Sequence, residues 1–424
     1  MKKVDIYTGK RTRFLEIPEE NLLFCTEPHD TTSLPDEEQV IRQALDNPIG
    51  AAPLTEIPEN ASVVILIDDC TRPTPTAKLL PYVMERVERR TKNITIMTAP
   101  GTHRPLTDQE LLEKIGQTYL ERYPVVNVNY KEAENYDYIG ETPMGTPLYI
   151  HKAFLAADYK IAIGNIGPHN VVGWSGGAKI IQPGISGEIT TSSTHIAGSY
   201  FPVREIYGNI DTPMRKEVDD IGRRVGLDFI VNTVLDSEKH VLGLFCGHYL
   251  KAHRAGVRFA EKALCPEIPA LADIVVVSAF PCNMDYWQGF KPLGFSTKGL
   301  KKGGTIVYLL DSKEGFCGNF PVHKAMLEKY LDKNEKTVRE DIAAGKVTDL
   351  VGVTNPLCHF QVLDYAKNVI CVTDSLTKEE CDLLRFTYTD NLTQAMELAF
   401  ESQGKDATVG VIRCGGETLA RLKK

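Results

Sequence analysis

The feature that constrains this chain most is the stretch Ile161–Tyr200, which holds eight glycines together with His169, Lys179 and His195. Each glycine inside a regular element costs about 0.5–1 kcal/mol relative to alanine, so a segment built only to pack would not carry so many. The stretch therefore reads as a site. Gly176-Gly177 lets the backbone approach a partner closely just ahead of Lys179, and Pro183-Gly184 stops the helix that follows. A lysine presented this way can bind phosphate, form a Schiff base or serve as an attachment point.

The surrounding pattern explains how such a site would be delivered. Ser62–Ile67 (SVVILI) is apolar and β-branched enough for a buried parallel strand, and it runs directly into DDCTRPTPT at 68–76. Ligands of open α/β sheets lie at the carboxyl ends of strands, which places Asp68, Asp69, Thr71 and Arg72 within reach of one. Asn93–Thr98 repeats the logic and delivers His103 in APGTHRPLT, ahead of a helix over Asp108–Ile115 that Thr107 and Glu110 open as a capping box. Asp158–Ile163 then launches the glycine-rich stretch. Three strand ends thus converge on one composite site.

Residues 200–265 read as helical, clearest over Met214–Val225 and His248–Leu264. A fresh α/β unit begins at Ile274–Ser278 and ends in a polar loop that leads to Trp287, Gln288 and Lys291. Further strands are predicted at Thr305–Leu310, Val347–Val353, Asn368–Thr373 and Thr408–Arg413, with helices at Ser375–Leu384 and Leu392–Gln403. The expected architecture is α/β: two Rossmann-like domains, 1–268 and 269–424, with the active site in the cleft between them and the last residues packing back on the first domain. At 424 residues the length fits two domains, and 42% apolar with 25% charged residues is a globular balance. A net charge of −8 without a basic aromatic stripe argues against nucleic acid and anionic membrane as partners. With no apolar run near 20 residues and no signal-peptide core, a cytoplasmic location is expected. The ten scattered cysteines lack a CxxC pair and read as reduced thiols.

Common motifs fail one by one. Lys179 is followed by Ile180, so no phosphate loop is completed; the dinucleotide glycine fingerprint and the zinc protease and deaminase signatures are missing. GxSxG occurs literally at residues 173–177, but only Val171-Val172 offers the strand that a nucleophile elbow at Ser175 needs. Cys358-His359 is a weak metal pair, since adjacent side chains rarely point the same way. A Schiff-base lysine of the aldolase kind and histidines acting as acid and base both remain open, as does a non-catalytic protein that binds an organic acid or a cofactor.

DDCTRPTP at 68–75, GTHRPLT at 101–107, GPHNVVGWSGGAKIIQPG at 167–184, His195 and WQGFK at 287–291, taken in order, resemble the nickel-pincer lactate racemases and their 2-hydroxyacid racemase and epimerase relatives. The resemblance implies racemisation or epimerisation of a small 2-hydroxyacid by reversible hydride transfer from its Cα to a nickel-pincer nucleotide. That cofactor, a nickel-bearing pyridinium-3,5-bisthiocarboxylic acid mononucleotide made by dedicated biosynthetic enzymes that are transient partners, would be tethered to Lys179 with His195 as metal ligand. By the same resemblance, His103 and His169 are the acid/base pair, Arg72, Gln288 and Lys291 hold the substrate, and Asp69, Arg72 and Trp287 contact the cofactor. Nickel held by soft sulfur donors and one imidazole is coherent chemistry. Two departures stand out: Ala178 where the family usually carries arginine, and Trp287 where it carries an aromatic hydroxyl. With Trp174, the latter opens the substrate to other aliphatic or aromatic 2-hydroxyacids, or a sugar acid epimerised at C2, beside lactate.

Overall fold

The computed structural model describes residues 1–27, 36–236, 238–318 and 321–423. Two six-stranded sheets organise them. Along the first, the strands run in the order Val241–Gly247, Phe229–Leu235, Tyr159–Asn165, Val63–Asp68, Ile94–Ala99 and Val125–Val126, all parallel except the first, which pairs antiparallel with its neighbour. Every residue of Val63–Asp68 is buried. Because side chains alternate across a strand, Val63, Ile65 and Ile67 join one core cluster while Val64 and Leu66 join another on the opposite face. A run that feeds two cores must be apolar at every position, which is why SVVILI is so uniform. Helix Thr76–Val87 covers one face through Leu79, Leu80, Val83, Met84 and Val87, and each fully buried side chain of this kind contributes about 1.5–3 kcal/mol.

The second sheet runs Thr387–Thr389, Asn368–Val372, Leu300–Leu309, Ala272–Ser278, Val409–Ile412 and Leu22–Thr26, all parallel. Its edge strand comes from the other end of the chain. The expected boundary at 268/269 gives the opening residues to the first domain, whereas Leu22–Thr26 is hydrogen-bonded along Val409–Ile412 and the hairpin Lys2–Tyr7/Thr12–Ile17 buries Val4, Ile6, Leu15 and Ile17 on this same sheet. An edge strand and a one-sided hairpin carry no local mark of which sheet they join. At the other end, Leu419 packs in a cluster with Ile166, Trp174 and Tyr207.

Two other expectations change. Val347–Val353 is a turn, because the Asp349 carboxylate accepts from the Gly352 amide at 2.8 Å and bends the segment into helix Thr354–Tyr365. Between the expected helices, found at Pro213–Arg224 and Lys251–Leu264, lies the unexpected hairpin Phe229–Leu235/Val241–Gly247. Asn232 and Thr233 interrupt its apolar run and hide the strand signal. The capping box at Thr107 is present, with both reciprocal bonds. All ten cysteines are free, and no helix among the described residues is long and apolar enough to cross a membrane.

In each sheet the chain first steps outward one way and then returns to the other side of its starting strand. This leaves a switch point between Val63–Asp68 and Tyr159–Asn165, and another between Ala272–Ser278 and Val409–Ile412. The loops leaving each pair of strands diverge and open a crevice. The two crevices meet in one cleft, since residues 68–73, 164–169, 281–284 and 416–417 line a common cavity.

Candidate active site

That cavity has a volume of about 250 Å³ and adjoins a second of about 140 Å³. Arg72, His169, Lys179, Gln288 and Lys291 line both, while His103, His195 and Trp287 line the smaller and Asp69 the larger. Every residue expected at the site therefore borders one or both of these two neighbouring cavities.

The loop after Val63–Asp68 is braced from beneath. Lys114, on helix Asp108–Ile115, sits 2.7 Å from the Asp68 carboxylate and donates to the carbonyls of Asp69, Arg72 and Thr74 at 3.1, 3.3 and 3.4 Å. A buried ammonium with four oxygen partners is satisfied, and it turns the Asp69 and Arg72 side chains outward into the cavity. Asp69 accepts the Thr71 amide at 2.7 Å and faces His103 Nδ1 at 3.2 Å. Burial would raise its pKa, but the His103 and Arg72 charges and these hydrogen bonds outweigh burial and hold it well below the usual carboxylate range. An ionised Asp69 facing Nδ1 of His103 favours a ring proton on that nitrogen.

His169 is set the opposite way. In the short hairpin formed with Gly173-Trp174, its Nδ1 accepts from the amides of Val171 and Val172 at 3.0 and 3.4 Å. The neutral ring therefore carries its proton on Nε2. Burial, and then the charges of Lys179, Lys291 and Arg72, keep this imidazole well below its ordinary pKa.

Lys179 emerges from a single tight turn, Gly177–Ile180. Gly176 and Gly177 have φ of 81° and 59°, and a Cβ would lie 2.7 Å from Ile166 at the first and 2.9 Å from His253 at the second. Both conformation and space exclude a side chain there. Asn232, from the hairpin strand hidden in the sequence, accepts the Gly177 amide at 2.8 Å. Burial, followed by the neighbouring Arg72 and Arg215, lowers the lysine amine to about 7. Ala178 is fully buried beside Gly222, where added bulk would collide with helix Pro213–Arg224.

His195 lies on helix Glu188–Gly198. Its Nδ1 donates to the Thr191 carbonyl one turn back at 2.7 Å, which leaves the Nε2 lone pair free for a metal. Burial lowers its pKa to about 4, so the ring is neutral and ready to ligate. Among the described residues no three His, Cys, Asp or Glu side chains cluster as a metal cage. One imidazole with Nε2 unbonded, lining the same cavity as a lysine amine lowered to about 7, fits a metal whose other donors arrive with an organic group.

From the second sheet, Asp285 caps helix Tyr286–Ser296 by accepting the Gln288 amide, and the helix start aims Trp287, Gln288 and Lys291 at the cleft. The Trp287 indole stacks on His323 with ring centroids 4.4 Å apart, and His323 is 2.6 Å from Asp349. Trp174 is no part of the pocket wall: it is fully buried and donates Nε1–H to the Gly208 carbonyl. Ser175 spends its hydroxyl on the Asn165 carbonyl and the Gly167 amide, both at 2.9 Å, so it is a loop brace. His359 is a core residue between the Tyr286 hydroxyl and the Leu384 carbonyl.

Sequence reasoning missed Lys114, which looks like an ordinary helix lysine, and Glu417, which lines the larger cavity and is raised to about 8 by burial. Its only signal is the glycine pair just before it.

Residues 8–203 match the lactate racemase N-terminal domain and residues 268–418 match the lactate racemase C-terminal domain. The chain belongs to the lactate racemase family. It is 28% identical over the full length of both chains to a lactate racemase of Thermoanaerobacterium thermosaccharolyticum, and 27% identical to one of Lactiplantibacillus plantarum over 98% of this chain and 99% of that one. The solved lactate racemase apoprotein of T. thermosaccharolyticum superposes with a TM-score of 0.90 across 99% of this chain and all of that one, at 27% identity. A Thermotoga maritima protein of 19% identity shares the fold with a TM-score of 0.71, covering 92% of this chain and all of that one. As a lactate racemase family member this is an isomerase of the racemase type, and the Schiff-base and binding-protein alternatives are not favoured.

Proposed function

We propose that this protein interconverts the stereoisomers of a small 2-hydroxyacid using a nickel-pincer nucleotide attached to Lys179. One observation carries the reading: the structure sets two imidazoles of opposite tautomer, a near-neutral lysine and an imidazole with a free Nε2 around one space that also receives Arg72 and Lys291. When bound, the cofactor supplies a carbon that accepts and returns the substrate's Cα hydride.

The protein's own work is proton handling, orientation and charge. Nε2 of His103, oriented through Nδ1 by Asp69, takes the hydroxyl proton of one isomer. His169 is assigned to the other isomer, whose hydroxyl proton its Nε2 takes once the Val171 and Val172 amides release Nδ1 to carry the ring proton. Arg72 offers a planar fork for the carboxylate, with Lys291 and Gln288 closing the clamp from the second sheet. His195 would hold the metal through Nε2, and Lys179, partly deprotonated near neutral pH, would carry the organic group. Trp287 forms the wall where the substrate's side chain lies, and its breadth favours a 2-hydroxyacid other than lactate. The protein acts in the cytoplasm, where cofactor-making enzymes load it.

Intact mass and chiral chromatography test the reading together. Protein co-expressed with the cofactor-making enzymes carries an added mass that maps to Lys179 and scrambles a single-enantiomer 2-hydroxyacid. Loaded protein that leaves every member of a 2-hydroxyacid panel at its starting configuration, or a substrate trapped on Lys179 by borohydride, would overturn it.

A further inference from the structure

Three successive carbonyls lead into the lysine turn, and a buried donor meets each. Arg215 Nη1 donates to the carbonyls of Trp174 and Gly176, both at 3.3 Å, and His253 Nε2 donates to that of Ser175 at 2.8 Å. These donors are themselves held. Arg215 Nη2 donates to Asp219 at 2.6 Å, and Arg254 bridges the other Asp219 oxygen and His253 Nδ1, the latter at 2.7 Å. The side chains of Arg215 and the whole of His253 are fully buried.

Two guanidinium groups share one carboxylate here, Arg215 fully buried and Arg254 part-exposed at the edge of the cluster. Apolar residues of similar volume would serve a purely packing role at lower cost, because ions lose hydration on burial. What the cluster does that apolar residues could not is fix three consecutive peptide planes. With those carbonyls turned toward helices Pro213–Arg224 and Lys251–Leu264, the chain reaches Gly177 only through the left-handed conformations it adopts, and the Gly177 amide is turned to Asn232. Lys179 follows two residues later.

We propose that the Arg215–Asp219–Arg254–His253 cluster is a positioning device that clamps the 174–176 backbone and so sets the direction in which Lys179 enters the cavity. Its significance rests on Lys179 being the attachment residue, but its test does not. The proximity of Arg215 to Lys179 agrees with the lowered amine pKa described above.

The test is acetylation of the full-length apoprotein with an N-hydroxysuccinimide ester, followed by peptide mass mapping, with exposed Lys336 as internal reference. Arg215→Met and His253→Leu are expected to slow Lys179 relative to Lys336 by about tenfold or more, since small misplacements of a reacting group carry penalties of that order. His253→Gln keeps a donor for the Ser175 carbonyl and is expected to stay within about threefold of the parent. Circular dichroism checks the fold, and if Arg215→Met fails to fold the two His253 variants decide. A parental or faster rate in His253→Leu, or equal slowing in His253→Leu and His253→Gln, overturns the clamp. Whether the cofactor adduct itself forms at residue 179 is read separately by intact mass, so the two readings fail independently.

Discussion

The loops that follow Val63–Asp68 and Ala272–Ser278 leave equivalent places in their sheets, beside a switch point and ahead of a helix, yet they are loaded differently. The first carries Asp69 and Arg72 on a backbone tied down by buried Lys114; the second supplies a cap, Asp285, and presents Trp287, Gln288 and Lys291 from the helix it starts. In the proposed function, proton chemistry and covalent attachment sit on the first half, and the second half offers a wall and a clamp. Groups that exchange protons need fixed neighbours to set their pKa values, and one rigid body supplies these better than two facing ones.

If that division is right, changes in the first half should abolish steps and changes in the second should retune them. Lys179→Ala is expected to have the largest effect: no adduct by intact mass and no racemisation above background, with the circular dichroism of the parent. Next, His103→Ala and His169→Ala should each lower racemisation by about 10²–10⁴-fold. In single-turnover absorbance, each should respond to only one enantiomer of the substrate, and the two to opposite ones; the same handedness in both would remove one histidine from the acid/base pair.

Asp69→Asn should lower racemisation by about tenfold or more, because it loosens the tautomer of His103. It also has a stability signature. The folded Asp69 pKa is depressed, so its contribution is fully present above the unfolded value of about 4 and is lost as pH falls below it. Chemical denaturation at pH 7 and pH 3 should therefore show a smaller acid loss in Asp69→Asn than in the parent. An equal loss would mean that the Asp69–His103 contact is not formed in solution.

The smallest effect is expected at Trp287, on the second half. Trp287→Tyr should change the KM ratio between a bulky and a short 2-hydroxyacid by up to about tenfold while kcat moves little, as side-chain fit in a pocket is worth about 1–3 kcal/mol. A large fall in kcat with an unchanged KM ratio would place Trp287 in the chemistry and break the division between the halves.

Much of the architecture is legible in the chain. Continuous apolar runs announce the central strands, and polar residues directly after them announce the site, because a strand buried on both faces can place chemistry only at its ends. The residues expected at the site line two neighbouring cavities that share five of them. Trp174 and Trp287 show the limit: both flank site motifs, yet one is core and the other cavity wall. Nothing within ten residues of either distinguishes them.

What the sequence by itself determined is therefore the set of elements and the groups at their ends, since periodicity, capping and glycine preference act within a turn or two. Only the tertiary structure decided which sheet the edge strand Leu22–Thr26 joins, that Asn232, Arg215 and His253 reach the backbone of the lysine turn, and which ring nitrogen of each site histidine the protein itself bonds. Those outcomes rest on contacts such as Arg215 to Trp174, Lys114 to Asp69 and Leu22–Thr26 along Val409–Ile412. Such contacts join residues from about forty to nearly four hundred positions apart, a span over which no local pattern in a chain can act.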